Sequence, residues 1–351
     1  MSRRMANAAP GVVGIVGLGR TGRSLIRALR GHPRLRVGVI RDPAEAVQLA
    51  YLLKYDTILG RFPEAVSLDD GHLRIGSDRI PLLAGKDGDP VRWRDFGVDV
   101  VLDASEHVPP AERLREHLDV AGGVRRVIVC GPAPEPAEPP FVAGLSDAAI
   151  RNPLPPERRI HSLGTPTAQC AAPALRILHD AFGIRRAALT AIHSYTGAHH
   201  LADAPAEDLR RGRAAAANII PQASRSAGML AALLPELSGK ISAFALNVPA
   251  YNASAVDLVC WHERDASVEG IQNAFRAAAR EPRWSGTLEV AEDPIVSSDV
   301  IRANASSVFD ALATMALPGR VSKTLFWFDA GFSFARRALE LAELSLAGEA
   351  A

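Results

Sequence analysis

Three glycines, Gly17, Gly19 and Gly22, follow an apolar run with the spacing G-x-G-x-x-G, and a helical pattern begins directly after them. In such an arrangement the first glycine permits a tight turn, the second lets the backbone approach a pyrophosphate, and the third lets helix and strand pack closely. The helix N-terminus then faces the anion. The pattern predicts a dinucleotide-binding turn that includes Arg20 and Thr21.

An acidic residue stands where the ribose of a dinucleotide needs a hydrogen-bond acceptor. Asp42 lies 20 positions after Gly22 (42−22), at the end of the second apolar run. A carboxylate there accepts hydrogen bonds from ribose hydroxyls and repels a 2′-phosphate, which favours NAD over NADP. The neighbouring Arg41 leaves two alternatives open: it neutralises a 2′-phosphate, or it is an exposed cation. We predict NAD as the cofactor.

The sulfur and imidazole side chains give no pattern for a metal or a disulfide framework. Cys130, Cys170 and Cys260 are odd in number, far apart and in no metal-ligand spacing. The adjacent His199 and His200 lack carboxylates at ligand spacing, so they are interpreted as part of a loop. We expect no metal site.

An α/β framework must position the glycine turn and Asp42. Over about the first 160 residues, apolar runs alternate with helical patterns, which predicts a Rossmann-type, doubly wound parallel sheet. A helix is predicted to begin at Pro166, and later runs predict an α+β second domain with a mostly antiparallel sheet. The strands are predicted at residues 12–16, 35–40, 98–102, 127–130, 187–193, 241–248, 254–260 and 287–290, and helices at 24–29 and 335–347.

Composition narrows the class of protein. The 351 residues are 48% hydrophobic and 23% charged, enough for two domains with large cores. No run approaches the roughly 18 apolar residues of a membrane span, and the first ten residues lack a secretory signal, which predicts a cytoplasmic protein without membrane partners. A formal net charge of +1 favours small-molecule partners over nucleic acid.

Short segments along nearly the whole chain match one family in order. They include GIVGLGRTGR at 14–23, LLKYD at 52–56, GRF at 60–62, GVDVV at 97–101, NIIP at 218–221, LPEL at 234–237 and VDL at 256–258. The chain resembles phosphorylating glyceraldehyde-3-phosphate dehydrogenase. The resemblance implies an NAD-dependent oxidoreductase, commonly a homotetramer. It also implies a dinucleotide-binding domain at 1–164, a substrate and oligomerisation domain at 165–328, and a C-terminal helix at 329–351 that returns to the first domain. Lys86 and Ser105 join the implied cofactor-binding residues.

The position of the family's nucleophile is altered. Family members carry Ser-Cys-Thr-Thr-Asn-Cys at a helix start, where the first cysteine attacks the aldehyde, but this chain reads TPTAQC at 165–170. The resemblance therefore places Pro166 at the nucleophile position, and proline suits the first turn of a helix. The flanking hydroxyls of Thr165 and Thr167 are much weaker nucleophiles than a thiolate and are interpreted as helix caps rather than replacements, and the resemblance places both among the substrate-binding residues. Cys170 is interpreted as a small buried hydrophobe. Without a thiolate no acyl-enzyme forms, so oxidation of glyceraldehyde 3-phosphate is not expected.

One catalytic position is kept. His193 stands where the family has its general acid/base, so the resemblance implies that it moves a proton during oxidation of an alcohol or hydrated aldehyde, or during carbonyl reduction. An isolated histidine is also often a structural residue.

The positions that bind anions in the family are altered too. Asn247 replaces an arginine before Val248-Pro249, and Ala198 replaces a threonine. Arg225 appears where a glycine is expected, and we predict that it anchors a small anionic substrate, or else forms a surface ion pair. The substrate-binding residues implied are Thr165, Thr167, Thr196, Ser224, Arg225 and Arg213.

Two functions follow from these features. The first is an NAD-dependent oxidoreductase with altered, non-thiol chemistry. The second is a catalytically inactive NAD-binding pseudoenzyme with a regulatory or assembly role, which Pro166, Asn247 and Ala330 favour, since Ala330 stands where the family has its nicotinamide-fixing asparagine.

Overall fold

The computed structural model describes residues 10–85, 91–105, 110–119, 123–133, 139–146 and 159–347. The chain divides into two compact units. The first comprises Met1–Phe141, Ser146–Gly164 and Ala335–Ala351, and the second Val142–Leu145 and Thr165–Phe334. None of the helices in the described ranges has the length and apolar composition required to span a membrane.

The first unit is built on a largely parallel sheet. Its strands are β1 Gly11–Val16, β2 Leu35–Asp42, β3 Tyr55–Asp56, β4 Gly60–Arg61, β5 Val66–Asp69, β6 His72–Ile75, β7 Asp78–Ala84, β8 Val100–Asp103, β9 Arg126–Val129 and β10 Ile160–Ser162. Among the described residues, eight of them form one sheet in the order β10-β9-β8-β1-β2-β7-β6-β5. Pairing is parallel from β10 to β7 and antiparallel between β7, β6 and β5. The predicted Rossmann-type sheet is confirmed.

Burial on both faces explains why its central strands read as apolar runs. In β1, Val13 and Ile15 are fully buried, as are Val100, Val101 and Leu102 of β8. Parallel strands covered by helices on both faces lose the polar and apolar alternation of a half-exposed strand. Of the described helices, three lie wholly in this unit: α1 Arg20–Leu29, α2 Ala46–Lys54 and α3 Ala111–Asp119.

The second unit contains a mixed sheet with helices against one face. Its strands are β11 Ile184–Ser194, β12 Ile220–Ala223, β13 Ile241–Val248, β14 Ser254–His262, β15 Leu288–Ala291, β16 Ser307–Leu317 and β17 Val321–Phe328. In this part of the chain, which is fully described, they follow the order β12-β13-β11-β14-β17-β16-β15. Four of the six strand pairs are antiparallel, as predicted, and β11 with β13 and β15 with β16 are parallel.

Helices α4 Pro166–Phe182, α5 Ser226–Leu233 and α6 Val268–Ala278 contribute to the core of the second unit. Phe275 of α6 stacks on Phe309 with ring centroids 4.1 Å apart, and Phe326 packs against both rings. The last helix, α7 Phe332–Ala347, belongs mostly to the first unit, where Glu343 pairs with Arg34.

Candidate active site

The turn after β1 requires glycine at two positions. Gly17 has φ +84°, a conformation that favours glycine, and a Cβ there would lie 2.8 Å from the Ala104 carbonyl oxygen. A Cβ at Gly22 would lie 2.0 Å from the Gly17 carbonyl oxygen. At Gly19, by contrast, a Cβ would meet no atom of the described residues within 4 Å. Gly17 and Gly22 therefore shape the turn, whereas Gly19 leaves open space beside it.

The N-terminus of α1 fits a pyrophosphate. Gly19 is its N-cap residue and makes no side-chain capping hydrogen bond, so no side chain of the cap covers the first N–H groups of the helix. Arg20 and Thr21 form the start of the first turn and are partly exposed. The exposed glycine and the open space next to it let a phosphate group approach the backbone.

Asp42 ends β2 beside this turn and is mostly buried. One carboxylate oxygen accepts a hydrogen bond from the Leu18 N–H at 2.6 Å, and the other accepts one from Ala44 N–H at 2.8 Å. Asp42 thus holds the glycine turn against β2. Each carboxylate oxygen still has acceptor capacity for a ribose hydroxyl.

Arg41 is not the exposed cation that one sequence alternative describes. Only 8% of its surface is accessible, and a Cβ at Gly85 would lie 3.2 Å from its Nε. Residues 41 and 42 point to opposite faces of β2 because side chains alternate along a strand.

The end of β8 adds an acid that the sequence analysis does not include. Asp103 is buried, and its Oδ1 accepts hydrogen bonds from the Ser105 hydroxyl and from the Ser105 N–H, the latter at 3.1 Å. The predicted cofactor residue Ser105 is thereby fixed beside Gly17. An acid at the carboxyl end of the strand next to β1 is the signal that could have identified Asp103. The predicted cofactor residue Lys86 lies outside the described residues.

In the second unit, the start of α4 brings a hydroxyl to the predicted acid/base. Thr165 is the N-cap, with its Oγ1 accepting from the Ala168 N–H at 3.1 Å, and Pro166 is the first helical residue. Thr167 is buried, and its Oγ1 lies 2.8 Å from His193 Nε2. Which of these two atoms donates depends on the imidazole tautomer.

Two amide side chains lie on the same sheet face as His193. In the parallel register of β11 and β13, His193 is the partner of Asn247. Gln222 of β12 approaches from the other side, with its Nε2 3.5 Å from Asn247 Oδ1. Gln222 could not be predicted from the sequence, since its position on this face depends on the pairing of β12 with β13.

Cys170 is a buried thiol. It lies fully inside the core and its Sγ is 3.7 Å from the Ser307 hydroxyl oxygen. Burial raises its pKa to about 12, although the Ser307 contact opposes the shift. Burial also raises the pKa of Cys260 far above the ordinary range, and desolvation together with the nearby Asp103 carboxylate raises that of the partly exposed Cys130.

The remaining predicted substrate residues lie in three local arrangements. The Thr196 hydroxyl is 3.2 Å from His199 Nδ1. Arg213 donates to Asp203 at 2.9 Å on an exposed loop. Ser224 accepts from the Ser226 N–H at 3.2 Å, and Arg225 is exposed at the start of α5. The structure thus brings Thr167 together with His193, whereas Thr165 caps α4, Arg213 pairs with Asp203 and Arg225 is exposed.

Comparison with known proteins identifies the family. The model of the C-terminal domain of glyceraldehyde 3-phosphate dehydrogenase matches residues 166–330, and the model of its NAD binding domain matches residues 12–108. Glyceraldehyde-3-phosphate dehydrogenase 2 of Streptomyces arenae is 38% identical over 334 residues, which cover 95% of this chain and 97% of the relative. Glyceraldehyde-3-phosphate dehydrogenase of Geobacillus stearothermophilus is 36% identical, covering 94% and 96%. The chain belongs to the glyceraldehyde-3-phosphate dehydrogenase family.

Family membership confirms the predicted cofactor and reaction class. A member of the glyceraldehyde-3-phosphate dehydrogenase family with this NAD binding domain is an NAD-dependent oxidoreductase. The glycine turn, the uncapped start of α1 and Asp42 are the features of this chain that fit the cofactor. Within the described ranges, no group of three or more His, Cys, Asp or Glu side chains is placed to hold a metal ion.

Proposed function

We propose that this protein is an NAD-dependent oxidoreductase with non-thiol chemistry that acts on a small anionic substrate, and that it does not oxidise glyceraldehyde 3-phosphate. The proposal rests on one observation: Thr167, the residue after Pro166, has its hydroxyl oxygen 2.8 Å from His193 Nε2. A proton acceptor is in place, whereas the residue at the nucleophile position carries no nucleophile.

The residues present suit oxidation of a hydroxyl group to a carbonyl. NAD, when bound, supplies the acceptor for the hydride that leaves the substrate carbon. The Thr167 hydroxyl accepts the substrate hydroxyl proton and passes its own proton to His193 Nε2, so the substrate oxygen forms a carbonyl. Carbonyl reduction is the reverse, with His193 as the proton donor. Neither direction needs a covalent intermediate.

The altered anion contacts support a changed substrate. Arg225 is exposed at the end of β12, and among the described residues it forms no ion pair within 4.0 Å. A guanidinium in this place can bind two oxygens of a carboxylate or phosphate. We further propose a cytoplasmic homotetramer, as the family resemblance implies.

A pseudoenzyme is the alternative that two residues favour. Asn247 cannot pair with a substrate phosphate as an arginine does, and Ala330 has no amide to hold the nicotinamide. In that case NAD binding would serve a regulatory or assembly role.

Substitution of His193 separates the two functions. We would screen hydride transfer between NAD and small hydroxy acids, aldehydes and oxo acids, then compare the parent with His193→Gln. We expect His193→Gln to lower kcat by about 10²- to 10⁴-fold without changing NAD affinity, because general acid/base catalysis contributes that much. The hairpin variant His72→Gln serves as the control. NAD binding without turnover of any compound would favour the pseudoenzyme.

The absence of the thiol gives a direct prediction. Highly purified protein is expected to form no NADH from glyceraldehyde 3-phosphate and phosphate, measured by absorbance, because Pro166 cannot form a hemithioacetal. Pro166→Cys should not restore full activity, since Asn247 leaves the substrate phosphate without its cation. Robust phosphate-dependent turnover by the parent would refute the proposal.

A further inference from the structure

Asn247 presents a polar atom that the fold leaves unsatisfied beside His193. The side chain is 2% exposed, and its Nδ2 has no hydrogen-bond partner among the residues that the structure describes. A buried amide donor without a partner costs about 1–3 kcal/mol, so such groups are rare in folded proteins. The hydrogen bonds of the sheet therefore do not explain why an amide stands at position 247.

The register of β12, β13 and β11, together with the contact to Gln222, determines the direction of Asn247 Nδ2. Ile220 of β12 is the partner of Asn247, and Asn247 is the partner of His193, so all three side chains lie on one sheet face. Asn247 Oδ1 is the atom nearer to Gln222, at 3.5 Å from its Nε2. Nδ2 is therefore turned away from β12. Neighbouring strands are about 4.8 Å apart, which makes His193 the adjacent side chain on the other side.

The chemistry of the amide donor determines which substrate group Asn247 can bind. An amide N–H donates to a carbonyl or hydroxyl oxygen and carries no charge to balance a phosphate dianion. We propose that Asn247 is a substrate-binding residue that donates a hydrogen bond to an uncharged oxygen of the substrate. This inference rests on the proposed function and names its substrate class: a small oxo or hydroxy acid whose end next to Asn247 is uncharged and unphosphorylated.

Three carboxylates that differ at one carbon test this assignment. Propionate, lactate and pyruvate carry CH₂, CHOH and C=O beside the same carboxylate. Their dissociation constants are measured by calorimetry or ligand-observed NMR on the NAD-loaded protein. We expect lactate and pyruvate to bind the parent about 2- to 12-fold more tightly than propionate, the effect of one net hydrogen bond. In Asn247→Leu the three should bind alike, whereas the exposed control Asn273→Leu should keep the parent's ratios.

Folding stability and a charge variant add independent readouts. Asn247→Leu is expected to raise the melting temperature of the ligand-free protein, because an unpaired buried donor is removed. The hydrogen bond lost at Oδ1 is long, at 3.5 Å, and water can replace it at the partly exposed Gln222. Asn247→Arg is expected to bind 3-phosphoglycerate more tightly than glycerate, the reverse of the parent. The assignment is wrong if Asn247→Leu keeps the parent's ratios, or if the parent binds none of the oxygenated probes. Binding is measured without turnover. If lactate and pyruvate bind more tightly than propionate but no compound undergoes hydride transfer, the proposed function is refuted and this inference stands.

Discussion

At the residue scale, Cys170 shows how surroundings determine whether a thiol can react. It lies one helical turn after Pro166, yet its Sγ contacts Ser307 inside the core. A nucleophilic cysteine needs a thiolate stabilised by nearby positive charge, whereas burial among apolar groups disfavours the charged form. Cys170 is therefore no substitute for a cysteine at position 166.

The burial of Cys170 predicts a low reactivity of its thiol. With a pKa of about 12, its thiolate fraction at pH 8 is on the order of a thousandfold below that of a free cysteine. We expect iodoacetamide to leave Cys170 unmodified in the native protein and to alkylate it in urea, as measured by peptide mass spectrometry. Rapid native modification, accompanied by loss of oxidoreductase activity, would show that Cys170 is a nucleophile after all.

The second prediction at the residue scale concerns anion binding by Arg225. If it anchors the substrate, Arg225→Ala should weaken binding of sulfate, phosphate or a small carboxylate by about 10-fold or more, since hydrogen bonds to charged groups contribute roughly 1.5–3 kcal/mol. Stability should change little, because the side chain is exposed. Affinity is measured by calorimetry, with the exposed Arg280→Ala as the matched control. Equal anion affinity in Arg225→Ala and the parent would remove Arg225 from the site.

At the element scale, the link between β1 and α1 assigns different tasks to its glycines. Gly22 lies in the first turn of α1, where its missing Cβ lets the helix approach the Gly17 carbonyl. Gly19 is at the N-cap with open space next to it. Glycine at position 22 is therefore required for folding, whereas glycine at position 19 leaves room for the ligand.

Two alanine variants separate these tasks. We expect Gly22→Ala to destabilise the protein by several kcal/mol or prevent folding, because a Cβ 2.0 Å from a backbone oxygen forces the helix to move. Gly19→Ala should cost roughly 1 kcal/mol or less of stability but weaken NAD binding, since its methyl group occupies the space the phosphates need. Urea unfolding and NAD calorimetry measure the two effects. Normal NAD affinity in Gly19→Ala would argue against pyrophosphate binding at this turn.

At the scale of the whole molecule, two histidines make stability depend on pH: His161, which is buried, and His117, which is largely buried. His117 Nδ1 accepts a hydrogen bond from the Trp93 indole at 3.2 Å, and His161 Nε2 accepts one from Arg126 at 3.2 Å. Burial lowers the pKa of each to about 4, with Arg41 and Arg113 contributing at His117 and Arg126 at His161. Both imidazoles are neutral in the folded protein at neutral pH.

The direction of the effect follows from linkage. Well above pH 6.5, at about pH 7.5 or higher, both histidines are neutral in the folded and unfolded chains, so they impose no penalty. As pH falls from 6.5 towards 4, the unfolded chain binds protons that the folded protein does not, and the free energy of unfolding should fall by up to about 1.4 kcal/mol per pH unit and histidine. Below pH 4 the loss levels off.

This prediction is checked by urea unfolding between pH 6.5 and 5.5, where most carboxylates stay ionised. His161→Gln should flatten the slope and cost little stability at pH 7.5, because glutamine can accept the Arg126 hydrogen bond. The double variant with His117→Gln should flatten it further. A slope that is the same in the parent and the double variant would contradict the assignment to these histidines.

Local sequence determined the framework of this protein. The strand, glycine turn and helix at the start of the chain, the helix that begins at Pro166, and β13 at Ile241–Val248 all form where the pattern predicts them. Their signals are local, since continuous apolar runs, glycine spacing and a proline at the first helical position act over a few residues. Strands β5 to β7, β16 and β17 were not predicted. β5 pairs with β6, β6 with β7 and β16 with β17 across short turns, whereas β7 and β17 also depend on pairing with the distant strands β2 and β14.

Tertiary structure alone decided which polar groups meet. Thr167 and His193 are 26 positions apart, and Asn247 reaches the side of His193 through the register of β13 with β11. The burial of Arg41 and the raised pKa of Cys170 likewise depend on segments far away in sequence. The sequence names the side chains available for chemistry, but a hydrogen bond or a pKa shift depends on ångström-scale distances and on burial, which only the folded chain defines.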